Sequence, residues 1–388
     1  MKTVVILGGA GAMSSLTIAD LLGYSNDIKV TIADISIARV EERLKQLSSE
    51  RVSGEYVNID DKESLIRVVE KADLVINCAL SKYNLSVMEA ALELNTNYMD
   101  FSALPMPTLE QMKLDENFRK ANLVAVIGMG LAPGISNLMA RYAYDNLDRV
   151  ESVRFRFADK SFAKSTLPIK FPWSAYALLG QLENKSILFD NGELKEVDSL
   201  TGEEYVQFSE PIGTTDVVYL SHPEPASISV TFSEKGVQFV DMKMHMPIEF
   251  RQKLQLFWDL GFANSKTIKV GDTEIIPREI LTYLVSKLPE EKLEPNDCGC
   301  FMAVVIGVKG DQRQEYTVQA NIRSQDGYDS IGRGTGIPMS IAVQMLFKGE
   351  ITKKGVFPPD VCIDPKVFFK ELAKRNIHIS YQIKKFIS

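Results

Sequence analysis

One stretch near the amino terminus limits what the rest of the chain can be: VVILGGAGAMSSLTIADLL over residues 4–22, then IKVTIAD over residues 28–34. Thr3 to Leu7 is a short, continuous, β-branched run, as expected of a parallel strand buried on both faces. Gly8-Gly9-Ala10-Gly11 supplies flexible backbone, and Ser15 to Leu22 carries apolar residues at helical spacing. A second strand, Lys29 to Ala33, closes on Asp34. Strand, glycine turn, helix, strand and terminal acid follow one another in the order a dinucleotide-binding βαβ unit requires.

Each part has its own physical reason. Gly9 is read as permitting the tight strand-to-helix turn, and Gly11 as letting the backbone approach a pyrophosphate, with Ala10, Ala12 and Met13 completing the turn. The first N–H groups of the helix and the positive end of its dipole then face the phosphates. Ser14 stands where the usual fingerprint has its third glycine; that position serves close helix–strand packing, which a small side chain also allows. Asp34 is placed to bond the adenosine ribose hydroxyls. No arginine follows it directly, which favours NAD over NADP, while Arg39 one helical turn on keeps NADP possible. The alternative is a glycine turn in a doubly wound fold that binds nothing.

The pattern repeats downstream. Glu55 to Asn58 reads as a strand ending at Asp60-Asp61, Lys62 to Lys71 as a helix, and Asp73 to Leu80 as another strand. Val87 to Leu94 is predicted helical, with strands at Asn97 to Asp100 and Leu123 to Ile127. Ligands of such sheets lie at the carboxyl ends of the strands. Asn77, Cys78 and Ala79, and Asp60 after the third strand, are therefore candidate cofactor contacts. Beyond residue 150 the signals change to alternation: Ser152 to Asp159, Ile228 to Phe232, Gln238 to Met244, Val304 to Val308 and Tyr316 to Ile322 read as half-exposed strands of a different sheet.

Bulk properties bound the function. At 388 residues, two domains are expected. A net charge of −7 disfavours nucleic acid or an anionic membrane as main partner, and no apolar run has the length of a membrane span. Four cysteines in a chain this long do not form a disulfide framework, and three scattered histidines make a metal site improbable, so a reducing cytoplasm is expected.

The motifs AVIGMGLAPGISNLMA (125–140), GGAGAM, INCAL, NYMDFS, TGIPMSIAVQML and the tail GEITKKGVFPPDVCID…FFKELAKRNIHIS resemble the saccharopine dehydrogenase-like family over nearly the whole length. Within it the likeness is greatest to the lysine 6-dehydrogenase branch. The resemblance implies an α/β architecture in two parts. The first is an NAD(P)-binding Rossmann domain with a doubly wound parallel sheet, residues 1–131, rejoined by C-terminal helices at 338–388. The second, 132–337, is an α+β substrate-binding and dimerisation domain with a mixed sheet. It also implies a homodimer and oxidation or reduction of a carbon–nitrogen bond in a lysine-like amino acid, in saccharopine, or in carboxynorspermidine synthesis. FSALPMP after NYMD departs from the saccharopine-type pocket and favours a smaller amine.

Such chemistry needs a group that takes the amine proton, a cation for the substrate carboxylate and a lid against water. His222 in SHPEP suits proton transfer, or is a solvated loop residue. Asp100 orients a substrate ammonium or moves a proton, or else caps a helix. Arg333, in the glycine-flanked GRGTG, is the candidate for holding a carboxylate. Pro133 and Gly134, with Asn137 a turn later, begin the domain crossing, where Gly134 would admit the nicotinamide. Tyr83 and Asn84 match an aromatic–Asn pair that the resemblance places near the nicotinamide; Asn84 is otherwise a helix cap. Trp173 is a candidate pocket wall.

Overall fold

The computed structural model describes residues 1–102, 104–289, 291 and 293–387. The opening unit folds as β1 (Lys2–Leu7), α1 (Ala12–Tyr24) and β2 (Ile28–Asp34), followed by α2 (Ile37–Leu47), β3 (Val52–Tyr56), α3 (Lys62–Val69), β4 (Leu74–Asn77), α4 (Asn84–Glu93) and β5 (Asn97–Asp100). Two short helices, α5 (Pro105–Met112) and α6 (Asp115–Lys120), lead to β6 (Val124–Val126). Val4, Val5, Ile6 and Leu7 are all fully buried, which is why the run carries no polar alternation. The third strand starts and ends earlier than its sequence suggests. Its residues are only half-buried at the sheet edge, where periodicity is weak.

The second half begins with α7 (Ile135–Asn146) and the long β7 (Arg149–Ser161), then α8 (Ala175–Glu183), β8 (Ser186–Asp190), β9 (Glu193–Val197), β10 (Glu204–Gln207), β11 (Thr214–Tyr219), α9 (Glu224–Thr231) and β12 (Phe239–Met244). Next come α10 (Ile248–Asp259), the small hairpin β13 (Ile268–Val270) and β14 (Thr273–Ile275), α11 (Pro277–Ser286), and the hairpin β15 (Asp297–Lys309) and β16 (Gln312–Arg323). The chain finishes with α12 (Ser330–Phe347), β17 (Gly355–Phe357), α13 (Pro359–Cys362), α14 (Pro365–Ala373) and β18 (His378–Lys385).

Seven parallel strands form the first sheet in the order β17-β6-β5-β4-β1-β2-β3, so the strand order reverses between β1 and β4. The second sheet is mixed: β12 runs parallel to β7, while β15, β16 and β18 add antiparallel strands. One expected strand is a helix. ISVT at 228–231 lies in α9 and Phe232 follows it as the C-cap; five residues are too short a run for an alternating pattern to distinguish strand from helix. Pro223 and Pro225, at its N-terminal turn, favour the helix start.

The tail divides between the domains instead of returning only as helices to the first. α12 lies on α1, with Thr17 Oγ1 donating to the Gly336 carbonyl at 3.0 Å. A Cβ on Gly336 would lie 3.0 Å from that of Leu16, so the TGIP motif is the seam between the two helices. β17 joins the first sheet beside β6, but β18 pairs with β16 in the second.

Candidate active site

At the reversal point the two domains enclose a cleft of about 760 Å³. Its first end is the glycine turn. Gly8, with φ +69°, is the residue that makes the turn, and a Cβ there would stand 2.8 Å from Ala79 N. Gly9, assigned that role from sequence, instead allows packing: a Cβ would meet the Ile6 carbonyl at 2.7 Å. The Ser14 hydroxyl donates to the turn carbonyls of Gly9 and Gly11, both at 2.9 Å, fixing the loop rather than merely fitting under it.

Gly11 precedes α1 without any side-chain cap, and the first turn carries no acid. The opening N–H groups of this helix are therefore left for an outside anion, and Gly11 and Met13 line the cleft beside them. Asp34 also lines it, accepting from Ala10 N at 3.3 Å and Ser36 N at 3.1 Å, while Arg39 donates to the Ala10 carbonyl at 2.8 Å. These residues fit a dinucleotide: the α1 terminus would hold its pyrophosphate and Asp34 the hydroxyls of its adenosine ribose. Ala10 and Ala12 contribute backbone only.

Cys78 and Ala79 line the middle of the cleft. Burial pushes the Cys78 thiol well up, so it stays protonated and apolar. Tyr83 lines it too, its hydroxyl donating to Asp60 at 2.7 Å. Asp60 is thus a tether for Tyr83 and lies outside the cleft lining. Asn84 caps nothing; its amide bridges Asn77 (2.7 Å) and Gln111 (3.2 Å) in a buried chain.

Five residues expected at the site, Asp100, Pro133, Gly134, Asn137 and Arg333, are placed elsewhere. Asp100 is fully buried and does not line the cleft: Oδ1 accepts from Gly128 N (2.8 Å) and Ser102 N (2.9 Å), and Oδ2 from Tyr98 (2.7 Å) and Gln111. Burial raises its carboxyl, and those four donors hold it back, so it braces the loop after β5. Asn137 is spent on Gly134 N (3.1 Å) and Asp360 (2.8 Å). Gly134 is required because a Cβ would strike the Gly130 backbone, and Pro133 accepts from Gly130 N at 2.8 Å, so this stretch closes on itself. Arg333 lies in the first turn of α12 and donates to the carbonyls of Arg323 (2.6 Å) and Arg375 (2.5 Å). Its guanidinium pins backbone and does not line the cleft.

The second end belongs to the other domain. His222 sits in the loop between β11 and α9, 6% exposed, and lines the cleft. Its Nδ1 lies 2.9 Å from Glu224 Oε2, and Ser136 Oγ donates to Oε1 of the same carboxylate at 3.0 Å. Glu224 is fully buried at the first turn of α9, so its position is fixed by packing. The ring therefore presents Nε2 to the cleft, where it has no partner among the described residues. Trp173, Phe101, Phe157 and Phe301 supply apolar walls, and Tyr176, Gly180, Gln181 and Arg278 close the far end. Glu224 and Arg278 went unseen in the sequence; the spacing His-Pro-Glu was the available signal for the first. Among the described residues no group of His, Cys, Asp or Glu is arranged to hold a metal, and no helix is long and apolar enough to cross a membrane.

An uncapped helix terminus, an acid after the second strand and a carboxylate-backed histidine across an apolar cleft define an NAD(P)-dependent dehydrogenase of two domains. Residues 4–126 match the saccharopine dehydrogenase NADP binding domain, and residues 130–377 the saccharopine dehydrogenase C-terminal domain. The chain belongs to the saccharopine dehydrogenase family.

Among curated proteins, it is 26% identical over 386 residues to carboxynorspermidine synthase of Vibrio cholerae, covering 90% of each chain. It is 21% identical over 394 residues to carboxyaminopropylagmatine dehydrogenase of Synechocystis, covering 96% of each. Apo saccharopine dehydrogenase (L-Glu forming) from Saccharomyces cerevisiae shares the fold, with a TM-score of 0.74 and 18% identity over 99% of this chain and 100% of that one.

Proposed function

We propose that the protein catalyses hydride transfer at the carbon–nitrogen bond of a carboxylated polyamine, joining an amino-acid aldehyde to an amine or reversing that step. His222 carries the reading: a buried histidine, held through Nδ1 by an immobile carboxylate, stands in the same cleft as the dinucleotide turn. Two relatives aligned over nine-tenths or more of their length bear names denoting carboxylated polyamines, which supports such a substrate over free lysine.

In the oxidative direction His222 Nε2 takes the proton of the amine nitrogen, whose lone pair then forms the carbon–nitrogen double bond as hydride departs from carbon. Glu224 stabilises the imidazolium and fixes the tautomer. The dinucleotide, when bound, accepts or supplies that hydride. Trp173, Phe101, Phe157 and Phe301 keep bulk water from the reacting carbon. Added water cleaves the imine to aldehyde and amine, and the reverse order makes the new bond.

Asp34 beside the ribose favours NAD over NADP, because a 2′-phosphate would face a carboxylate whose nearest cation, Arg39, is tied to Ala10. The test is reduction of NAD and NADP with carboxynorspermidine, saccharopine and lysine as separate substrates. Turnover of carboxynorspermidine above the other two is expected. Silence with all three overturns the assignment, and tighter NADPH than NADH binding in fluorescence titration overturns the cofactor preference.

A further inference from the structure

We infer that Arg278, exposed to the cleft across the bare backbone of Gly180, binds the carboxylate of the substrate; this deepens the reading above and rests on it. Arg278 is the second residue of α11 and is 5% exposed. One edge of its guanidinium is occupied: Nε and Nη2 donate to the Ala263 carbonyl at 3.0 and 2.8 Å, and Nη2 also reaches Glu183. Glu183 is itself fixed by Ser265, through N at 3.0 Å and Oγ at 2.9 Å. The Tyr176 ring lies 5.2 Å from the guanidinium carbon and limits its swing.

Nη1 is what remains. It has no hydrogen-bond partner among the described residues, and the residue lines the cleft. A guanidinium with one arm clamped and the other unpaired at a cavity wall is a preorganised anion site, since its rotamer is fixed before the ligand arrives.

Gly180 explains the opening. It sits inside α8, where glycine is otherwise unfavourable, and no positive φ requires it there. A Cβ there would lie 3.2 Å from Arg278 Nη1. A glycine at this point leaves the unpaired nitrogen uncovered. Of the charged groups lining the cleft, Asp34 and Arg39 serve the dinucleotide end and Lys82 lies on the exposed turn before α4, which leaves Arg278 as the immobile cation at the substrate end.

Gly180→Ala tests this by setting a methyl group against Nη1 while leaving the Ala263 and Glu183 partners in place, and Arg278→Lys removes the guanidinium fork while keeping the charge. Each variant is saturated with dinucleotide and assayed with carboxynorspermidine and with the same polyamine lacking the carboxyl group; binding of both is measured by calorimetry. The preference for the carboxylated amine is expected to fall at least tenfold in both variants. The Gly180→Ala melting temperature should equal or exceed that of the parent, and dinucleotide affinity should stay within twofold. An undiminished preference in Gly180→Ala overturns the subsite while leaving the proposed reaction intact. Carboxylate binding that falls in both variants, in a protein that turns over neither amine, overturns the reaction and sustains the subsite. A parent protein that binds both amines equally overturns the subsite outright.

Discussion

Replacing Glu224 separates a catalytic histidine from a merely buried one. In the parent protein the carboxylate accepts from Ser136 through one oxygen and lies 2.9 Å from His222 Nδ1 through the other, with no exposure to solvent. With Glu224 ionised, Nδ1 carries the proton and Nε2 is left as the base. Glu224→Gln preserves the shape but reverses this wiring. The Gln oxygen still accepts from Ser136, and the amide N–H now points at Nδ1, so the ring must carry its proton on Nε2 and cannot accept one there. A charge-assisted hydrogen bond of this kind contributes about 1.5–3 kcal/mol, which corresponds to roughly a 10- to 150-fold loss in kcat. Stopped-flow measurement of NAD(P)H formation gives kcat, and fluorescence titration gives dinucleotide affinity, which should not move. His222→Ala should cost a similar factor, and the double variant little more than either alone, because the two side chains act as one unit. Costs that simply add, or an unchanged kcat in Glu224→Gln, refute the pairing.

Three further variants probe other parts of the structure. Gly8→Ala forces a φ of +69° on a residue with a side chain and sets its Cβ 2.8 Å from Ala79 N; a loss of about 2 kcal/mol or more is expected from the backbone term and the contact together. Calorimetry should show a lower melting temperature and at least tenfold weaker dinucleotide binding, and Gly11→Asp should weaken binding with little effect on melting; full affinity in both variants would discard the phosphate cradle. Asp159 on β7 has its carboxyl pushed up to about 6 by burial, with His245 opposing the shift and Asp297 adding to it. The folded protein therefore holds a proton that the unfolded chain gives up near its ordinary value of 3.8. That contribution to stability is complete below the lower value and is lost as pH rises through the higher one. Between pH 5 and pH 7.5 the parent should lose roughly 1–1.5 kcal/mol relative to Asp159→Asn in urea unfolding, and parallel pH profiles would contradict the assignment.

The parts of this molecule that were legible in its sequence are those whose role is set within a few residues. The glycine turn, the buried parallel strands and the acid after β2 declare themselves because each needs a local backbone geometry or a continuous apolar run. Even there, Gly8 and Gly9 exchange duties, since both lie in the turn and only the approach of Ala79, some seventy residues on, decides which one must adopt a positive φ.

The arginines show where such reasoning stops. Arg333, between glycines, has the look of a side chain free to reach a ligand, whereas nothing in the sequence around Arg278 singles it out. Their fates are settled by distant carbonyls. Arg323 and Arg375 occupy the first on two arms, while Ala263 and Glu183 hold one edge of the second and leave Nη1 unpaired. Asp100 follows the same logic: the strand-end rule places an acid at the mouth of the cleft but does not fix which way it points, and Tyr98, two residues earlier on the same side, draws the carboxylate into the helix layer. Residue type tells which groups are able to bind or react. Whether they remain available depends on partners tens to hundreds of positions away, so in this fold the unpaired nitrogen, more than the conspicuous motif, marks where a substrate is held.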